Sequence, residues 1–357
     1  MRESLAELDP GRVLVVMPTW LGDCVMATPT LAKLRERFAS AHLTAFVRAG
    51  VAPVLEPFPL LDDRLLWTRG ERLWALGRRL RRERFDVALV LPGSFRSALL
   101  AWLAGIPRRV GYRRDGRGGL LTDRLDPPRE GGRYVPTPTL RYYLRLAEAM
   151  GCESGDPPAM RLWHTREDDH RAESLLAAAG IDPRDGPLVV LVPGGNKPAK
   201  RWPTERFARL ADHLAERHGA RVAVSGAPSE SDVLEAVVAA ADAPIGNLLR
   251  VGVELRVLKS VFAQASLVVT NDTGPRHVAA AMGTPVVSLF GPTPLQWTVI
   301  DCPHERTIVA PDSFDHAGNP RPRGGTMDAI PLDSVAEAAD ALLARRDAAT
   351  LMAAHPT

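Results

Sequence analysis

Short apolar runs rich in Val, Leu and Ile alternate along this chain with stretches whose apolar residues recur every three or four positions. Residues 12–17 (RVLVVM) read as a buried strand, and the turn Pro18 to Gly22 follows it. Ala27, Leu31, Leu34 and Phe38 then recur at helical spacing. Further strands are predicted over 42–47, 86–91 and 107–111, and helices over about 71–84, 94–104 and 137–150. This β-α-β-α rhythm predicts a mainly parallel sheet with helices on both faces. Residues 151–160 (GCESGDPPAM) hold two Gly and two Pro and read as a linker. A charged helix over about 166–179 follows, and the rhythm restarts. Strands fit 187–192, 220–225, 266–270 and 284–289; helices fit about 203–218, 229–241, 254–265 and 275–282.

The α/β pattern thus predicts two successive Rossmann-like α/β/α domains, 1–160 and 161–357, with the ligand expected in a central cleft at the carboxyl ends of the strands. A chain of 357 residues also exceeds one ordinary core. A last helix, about 333–346, carries apolar Val335, Ala338, Ala339 and Leu342 and is a candidate to cross back to the first domain. Residues 311–328 are polar and rich in Gly and Pro, the composition of a mobile surface loop.

Composition narrows the setting. Met1 to Arg12 is polar and of mixed charge, unlike a secretory signal, and no apolar run approaches the ~18 residues of a spanning helix. A cytoplasmic protein is expected, with contact at the cytoplasmic face of the inner membrane as a further expectation. Cys24, Cys152 and Cys302 lie far apart without a CxxC pair, so neither a zinc ribbon nor a disulfide framework is expected. Residues 1–180 hold 28 Lys/Arg against 22 Asp/Glu, whereas the remainder holds 17 against 20. A basic first half suits an acidic partner such as a phosphorylated glycolipid or an anionic membrane face. The arginines at 78, 79, 81, 82 and 84 cover more than one face of a predicted helix and read either as a solvated surface or as a membrane or acceptor contact.

Three strand-to-helix turns carry candidate chemistry. In the string from Val269 to Gly283 (VTNDTGPRHVAAAMG), Asp272 or Thr273 can cap the next helix, Pro275 fits its first turn and Gly283 its end. Its free amides favour an anion, Gly274 permits close approach of a diphosphate, and His277 leans back toward the same end. The same string also describes an ordinary well-capped helix. The loop Pro193–Pro203 (PGGNKPAKRWP) sets Gly194 and Gly195 beside Lys197, Lys200 and Arg201, either a solvated basic loop or a metal-free diphosphate clamp. Asp23, in Pro18–Pro29 (PTWLGDCVMATP), is either a helix cap or a general base. Cys24 beside it reads as a small buried residue rather than a nucleophile. In Ser225–Glu230 (SGAPSE), Glu230 reads as a ribose ligand or as an ordinary first-turn acid. No GxGxxG follows the first strand, which disfavours a nicotinamide dehydrogenase.

Together these strings resemble glycosyltransferase family 9, the ADP-heptose:lipopolysaccharide heptosyltransferases. The landmarks span nearly the whole chain: LGD at 21–23, GIPRRVGYR at 105–113, LLTD at 120–123, PGG…KRWP, GAPSE and NDTGPRH…FGPT. The GIPRRVGYR and LLTD strings are most similar to the branch that adds the second core heptose. The resemblance implies a GT-B fold and an inverting, metal-independent transfer of heptose, or a related sugar, from an ADP-sugar to a lipopolysaccharide core or other glycan. Asp23 would be the base, Lys200 would hold the diphosphate, and Glu230 would bind the adenosine ribose. Asp272, Thr273, Gly274 and His277 would contact the sugar nucleotide, with Gly194 and Gly195 in the donor loop and Arg113 on the acceptor side. No cofactor or metal is implied beyond the co-substrate, ADP-L-glycero-D-manno-heptose. The expected partners are that nucleotide sugar and an acidic glycolipid or oligosaccharide, and not nucleic acid. The alternatives are another GT-B nucleotide-sugar enzyme such as a 2-epimerase, or a non-catalytic sugar-nucleotide binding protein. Arg276 departs from the family, which has an apolar residue before the motif His; it would reach a phosphate or an outward salt bridge.

Overall fold

The computed structural model describes residues 4–156, 158–291, 295–311 and 325–354. The chain divides into two compact units, Met1–Leu162 with Gln296–Ile300, and Trp163–Leu295 with Asp301–Thr357. The first contains β1 (Arg12–Val16), α1 (Leu21–Met26), α2 (Thr28–Arg37), β2 (His42–Arg48), β3 (Asp63–Trp67), α3 (Leu73–Arg82), β4 (Val87–Val90), α4 (Phe95–Leu103), β5 (Arg108–Tyr112), β6 (Asp123–Leu125), a two-residue ladder of β7 (Arg129–Glu130) with β8 (Arg133–Tyr134), and α5 (Thr139–Ala149). The second contains α6 (Arg166–Ala178), β9 (Leu188–Val192), α7 (Thr204–His218), β10 (Arg221–Val224), α8 (Ser231–Ala240), β11 (Ile245–Asn247), α9 (Leu255–Gln264), β12 (Leu267–Asn271), α10 (Gly274–Ala281), β13 (Val286–Phe290), β14 (Glu305–Val309) and α11 (Leu332–Ala354).

Each unit is built on a parallel six-stranded sheet. The orders are β3-β2-β1-β4-β5-β6 and β11-β10-β9-β12-β13-β14, the doubly wound arrangement repeated. The central strands are buried along their whole length because helices cover both faces, which is why they read as continuous Val/Leu runs. In each sheet the strand order reverses once, between β1 and β4 and between β9 and β12. At such a reversal neighbouring connections leave toward opposite faces and open a crevice above the strand ends.

The predicted helix from Ala27 to Phe38 is α2, and a separate short helix, α1, precedes it, beginning at Leu21 within the expected turn. The final helix belongs to the second unit. Its apolar stripe, Val335, Ala339, Leu342 and Leu343, is buried in the second unit's own core with Phe207, Leu210 and Leu214 of α7. The chain returns to the first unit at 296–300 instead, where Thr139 Oγ1 donates to the Trp297 carbonyl at 2.9 Å. Most of the expected 311–328 loop lies outside the described residues.

Trp202 anchors the second core. It is 1% exposed, its indole N–H donates to the Ile330 carbonyl at 3.1 Å, and its ring meets Phe207 edge-on at 5.0 Å. Trp202→Ala should therefore lower the stability of the second unit by about 3–5 kcal/mol, read as a shift in its guanidinium unfolding midpoint.

Candidate functional site

In the second unit the loops leaving β9 and β12, the strands that flank the reversal, are tied together by one side chain. Asn271, wholly buried at the end of β12, donates from Nδ2 to the carbonyls of Pro193 (2.8 Å) and Gly194 (2.9 Å). Its Oδ1 accepts from the Trp202 backbone N–H at 3.1 Å. This fixes the PGG…KRWP loop against the start of α10. Gly194 is required by close approach: a Cβ there would overlap the Glu230 carboxylate. Glu230 in turn accepts from the N–H groups of Gly195 (2.6 Å) and Ala227 (2.8 Å), so its carboxylate braces the backbone of both glycine-bearing loops.

The N-terminus of α10 is left open. Thr273 occupies the cap position, but its hydroxyl turns back to the Asn271 carbonyl (3.2 Å) and makes no capping bond to the helix. Asp272 does not cap either; its Oδ2 accepts from Lys200 Nζ at 3.2 Å. Pro275 has no N–H and the Arg276 N–H donates to the Thr273 carbonyl at 3.2 Å, so the open start of the helix offers the Gly274 N–H, which with the Lys200 ammonium makes this corner an anion site. Arg201 is turned aside, donating to the Gly195 carbonyl at 2.8 Å.

Arg276 neither reaches outward nor offers itself to a ligand. It is 1% exposed and forks onto Glu305, with Nε–Oε1 2.5 Å and Nη2–Oε2 2.9 Å. Nη1 also lies 3.8 Å from Asp272 Oδ1, and the guanidinium covers the Phe290 ring. Ser288 donates to the same Glu305 carboxylate. A chain of alternating charges, Lys200–Asp272–Arg276–Glu305, thus runs from the open corner into the core. His277, beside it, is 3% exposed with a buried Nδ1 that has no hydrogen-bond partner among the described residues. Burial, reinforced by Arg276, holds its pKa well below the usual imidazole value, so it is neutral and contributes no positive charge.

In the first unit, Asp23 lies in the first turn of α1, behind β1, and Trp20 occupies the cap position. The carboxylate is therefore not the helix cap, and burial pushes its pKa up to about 6. Cys24 is buried and its thiol is pushed up to about 12 by burial, which leaves it un-ionised and inert. Arg113 is at the surface, paired with Asp126 at 2.8 Å, on the wall of a hollow of about 810 Å³ that Arg114, Arg129 and Tyr134 also line. The adjacent Arg117 is wholly buried, and its guanidinium donates to the Tyr112 carbonyl (2.9 Å), the Pro92 carbonyl and the Ser97 hydroxyl (3.1 Å). It ties the end of β5 to the loop after β4.

The structure therefore brings Gly194, Gly195, Lys200, Glu230, Asp272, Thr273 and Gly274 into one corner of the second unit, with His277 buried behind them. Asp23 and Arg113 belong to the first unit. Sequence reasoning missed Asn271 and Glu305. Asn271 stood in the quoted motif, but a strand-end Asn gives no sign of what it binds. Glu305 is 29 residues from Arg276, and pairing at that range leaves no local trace.

Two Rossmann-like units of this kind define a GT-B type of protein. The chain belongs to glycosyltransferase family 9 (heptosyltransferase), whose family model matches residues 73–310, and it is a sugar-transferring enzyme. It is 31% identical over 303 residues to lipopolysaccharide heptosyltransferase 2 of Salmonella typhimurium, covering 80% of this chain and 84% of that protein. Among solved structures it matches E. coli ADP-heptose LPS heptosyltransferase II with a TM-score of 0.79 at 26% identity, over 94% of this chain and 99% of that one. It also matches a family 9 glycosyltransferase from Veillonella parvula with a TM-score of 0.82 at 24% identity, over 96% of this chain and 100% of that one.

Removing one member of the buried charge chain strands the next. Arg276→Met should cost about 3–5 kcal/mol in urea unfolding, because the Glu305 carboxylate stays buried without its cation. The double variant Arg276→Met/Glu305→Met should recover most of that loss, and a merely additive double variant would show the pair is not coupled.

Proposed function

We propose that this enzyme transfers a heptose from ADP-heptose to a lipopolysaccharide core acceptor, with inversion at the anomeric carbon and without a metal. The observation that carries the reading is the corner of the second unit, where the uncapped start of α10 and Lys200 offer positive charge to an anion. The names of its relatives supply the sugar and the acceptor: one is an ADP-heptose enzyme and another acts on lipopolysaccharide.

In this mechanism Asp23 takes the proton of the acceptor hydroxyl as that oxygen attacks the anomeric carbon and the bond to the diphosphate breaks. A carboxylate held near pH 6 by burial is a stronger base than an exposed aspartate, yet it is still ionised at neutral pH. The diphosphate leaves with added charge, taken up by Lys200 and the N-terminus of α10. Lys200 exchanges its bond to Asp272 for the phosphate. Neutral His277 is then a hydrogen-bonding group and not a cation, and Glu230 serves the nucleotide first by holding the Gly195 amide in place. Arg113 and its neighbours form the acceptor's anionic contact. No described helix is long and apolar enough to cross a membrane, and we place the enzyme in the cytoplasm, where nucleotide sugars are made.

Asp23→Asn should lower transfer by about 10²–10⁴-fold with ADP affinity nearly unchanged, measured by ADP release with acceptor and by calorimetric ADP titration. ADP-heptose consumed at the same rate without acceptor would instead indicate a hydrolase or epimerase. Because Asp23 must be ionised to act, the transfer rate should fall about tenfold per unit as pH drops below about 6. A rate flat through that range would remove Asp23 from the proton transfer.

A further inference from the structure

We propose that the outer face of α3 and α4 in the first unit is a docking surface for an anionic lipid bilayer. The two helices lie side by side on one face of the sheet. Gly77 admits Leu103 so closely that a Cβ there would lie 2.8 Å from the Leu103 Cβ. Arg81 lies across Gly105, and Arg96 donates to the Glu71 carbonyl at 3.2 Å. Leu76 and Leu80 of α3, with Ala98, Leu100 and Ala101 of α4, face the core.

What remains on the outside is unusual for a solvated helix pair. Trp74 is 74% exposed, and Trp102 and Phe95 are each 48% exposed. Spacings of four and three residues place Trp74 beside Arg78 and Arg81 on α3, and Phe95 in line with Trp102 on α4. Neither helix contains an acidic residue. From Arg69 to Arg96 the sequence holds eight arginines and three acids. Glu83 pairs with Arg12 and Asp86 with the Arg12 amide, while Glu71 binds Thr68 and lies 3.9 Å from Arg79, so of the three acids only Glu71 offsets an arginine of these helices. Arg78 and Arg82 are exposed and have no ion-pair partner among the described residues.

Isolated apolar side chains on a surface need no partner, but indoles set among arginines match the boundary of a bilayer. The rings enter the headgroup layer while the guanidinium groups meet anionic phosphates. The charge complementarity selects an anionic bilayer over a neutral one. The inference deepens the reading of a lipid-borne acceptor by naming the surface that would hold the enzyme beside it.

The test is flotation of the full chain with phosphatidylcholine vesicles, with and without phosphatidylglycerol. Binding is expected only with phosphatidylglycerol and should fall as salt rises. At about 1 kcal/mol for each arginine near the surface, Arg78→Gln/Arg82→Gln should weaken it by roughly 25-fold, and Trp74→Ser/Trp102→Ser should abolish it. These side chains are exposed, so thermal unfolding should be unchanged. Equal binding to both vesicle types, no binding to either, or binding untouched by the variants would overturn the proposal, as would a protein ligand competing for the same face with vesicles inert. Transfer to a detergent-solubilised acceptor should stay at the unmodified level in both variants; loss of vesicle binding with transfer intact separates this surface from the catalytic reading.

Discussion

One buried amide decides the geometry of the corner around Lys200 and Gly274. Asn271 spends both ends of its side chain on the PGG…KRWP loop, two carbonyls accepting from Nδ2 and one N–H donating to Oδ1. The loop after β9 would otherwise be free to drift from the helix after β12, and the helix start and the cation would not face the same point. The bonds are made at the reversal of strand order, the place where a doubly wound sheet leaves room for a ligand. Gly194 and Trp202, in the connection after β9, and Glu230, in the connection after β10, reinforce the same arrangement.

The electrostatics of that corner are organised from below. Lys200 is held by Asp272, Asp272 lies near Arg276, and Arg276 is locked by Glu305. A buried chain of this kind adds little net stability, since desolvation offsets most of the attraction, but it leaves each charge one place to be. The positive potential offered to an anion then comes from Lys200 and the helix terminus, and not from His277, which burial keeps neutral. In the first unit, burial acts in the opposite sense on a carboxylate and makes Asp23 a better base. The same physical cause, loss of water around a charge, removes a cation in one unit and raises basicity in the other.

Central strands, crossover helices and the strand-to-helix turns bearing Asp23, Lys200 and Gly274 were legible in the sequence because their signals are local. A strand covered on both faces must be a continuous apolar run, and a helix on a sheet must repeat its apolar positions. Besides the two-residue ladder of β7 and β8, the strands that escaped, β3, β6, β11 and β14, are the outermost strand on each side of each six-stranded sheet. An edge strand pairs on one side only and tolerates charge, as DRLLW and ERTIV do, so the apolar-run signal fails there.

The tertiary structure alone decided which polar residues meet. Arg276 and Glu305, Lys200 and Asp272, and Asn271 and Pro193 are separated in sequence by 29, 72 and 78 residues. Nothing in the pattern of a single segment records such a partner, so Arg276 read as a ligand or surface cation and is in fact a buried support. The final helix shows the same division. Its helicity was encoded in its own periodicity, but the face it would cover depended on the match between its apolar stripe and α7, which exists only once both are folded.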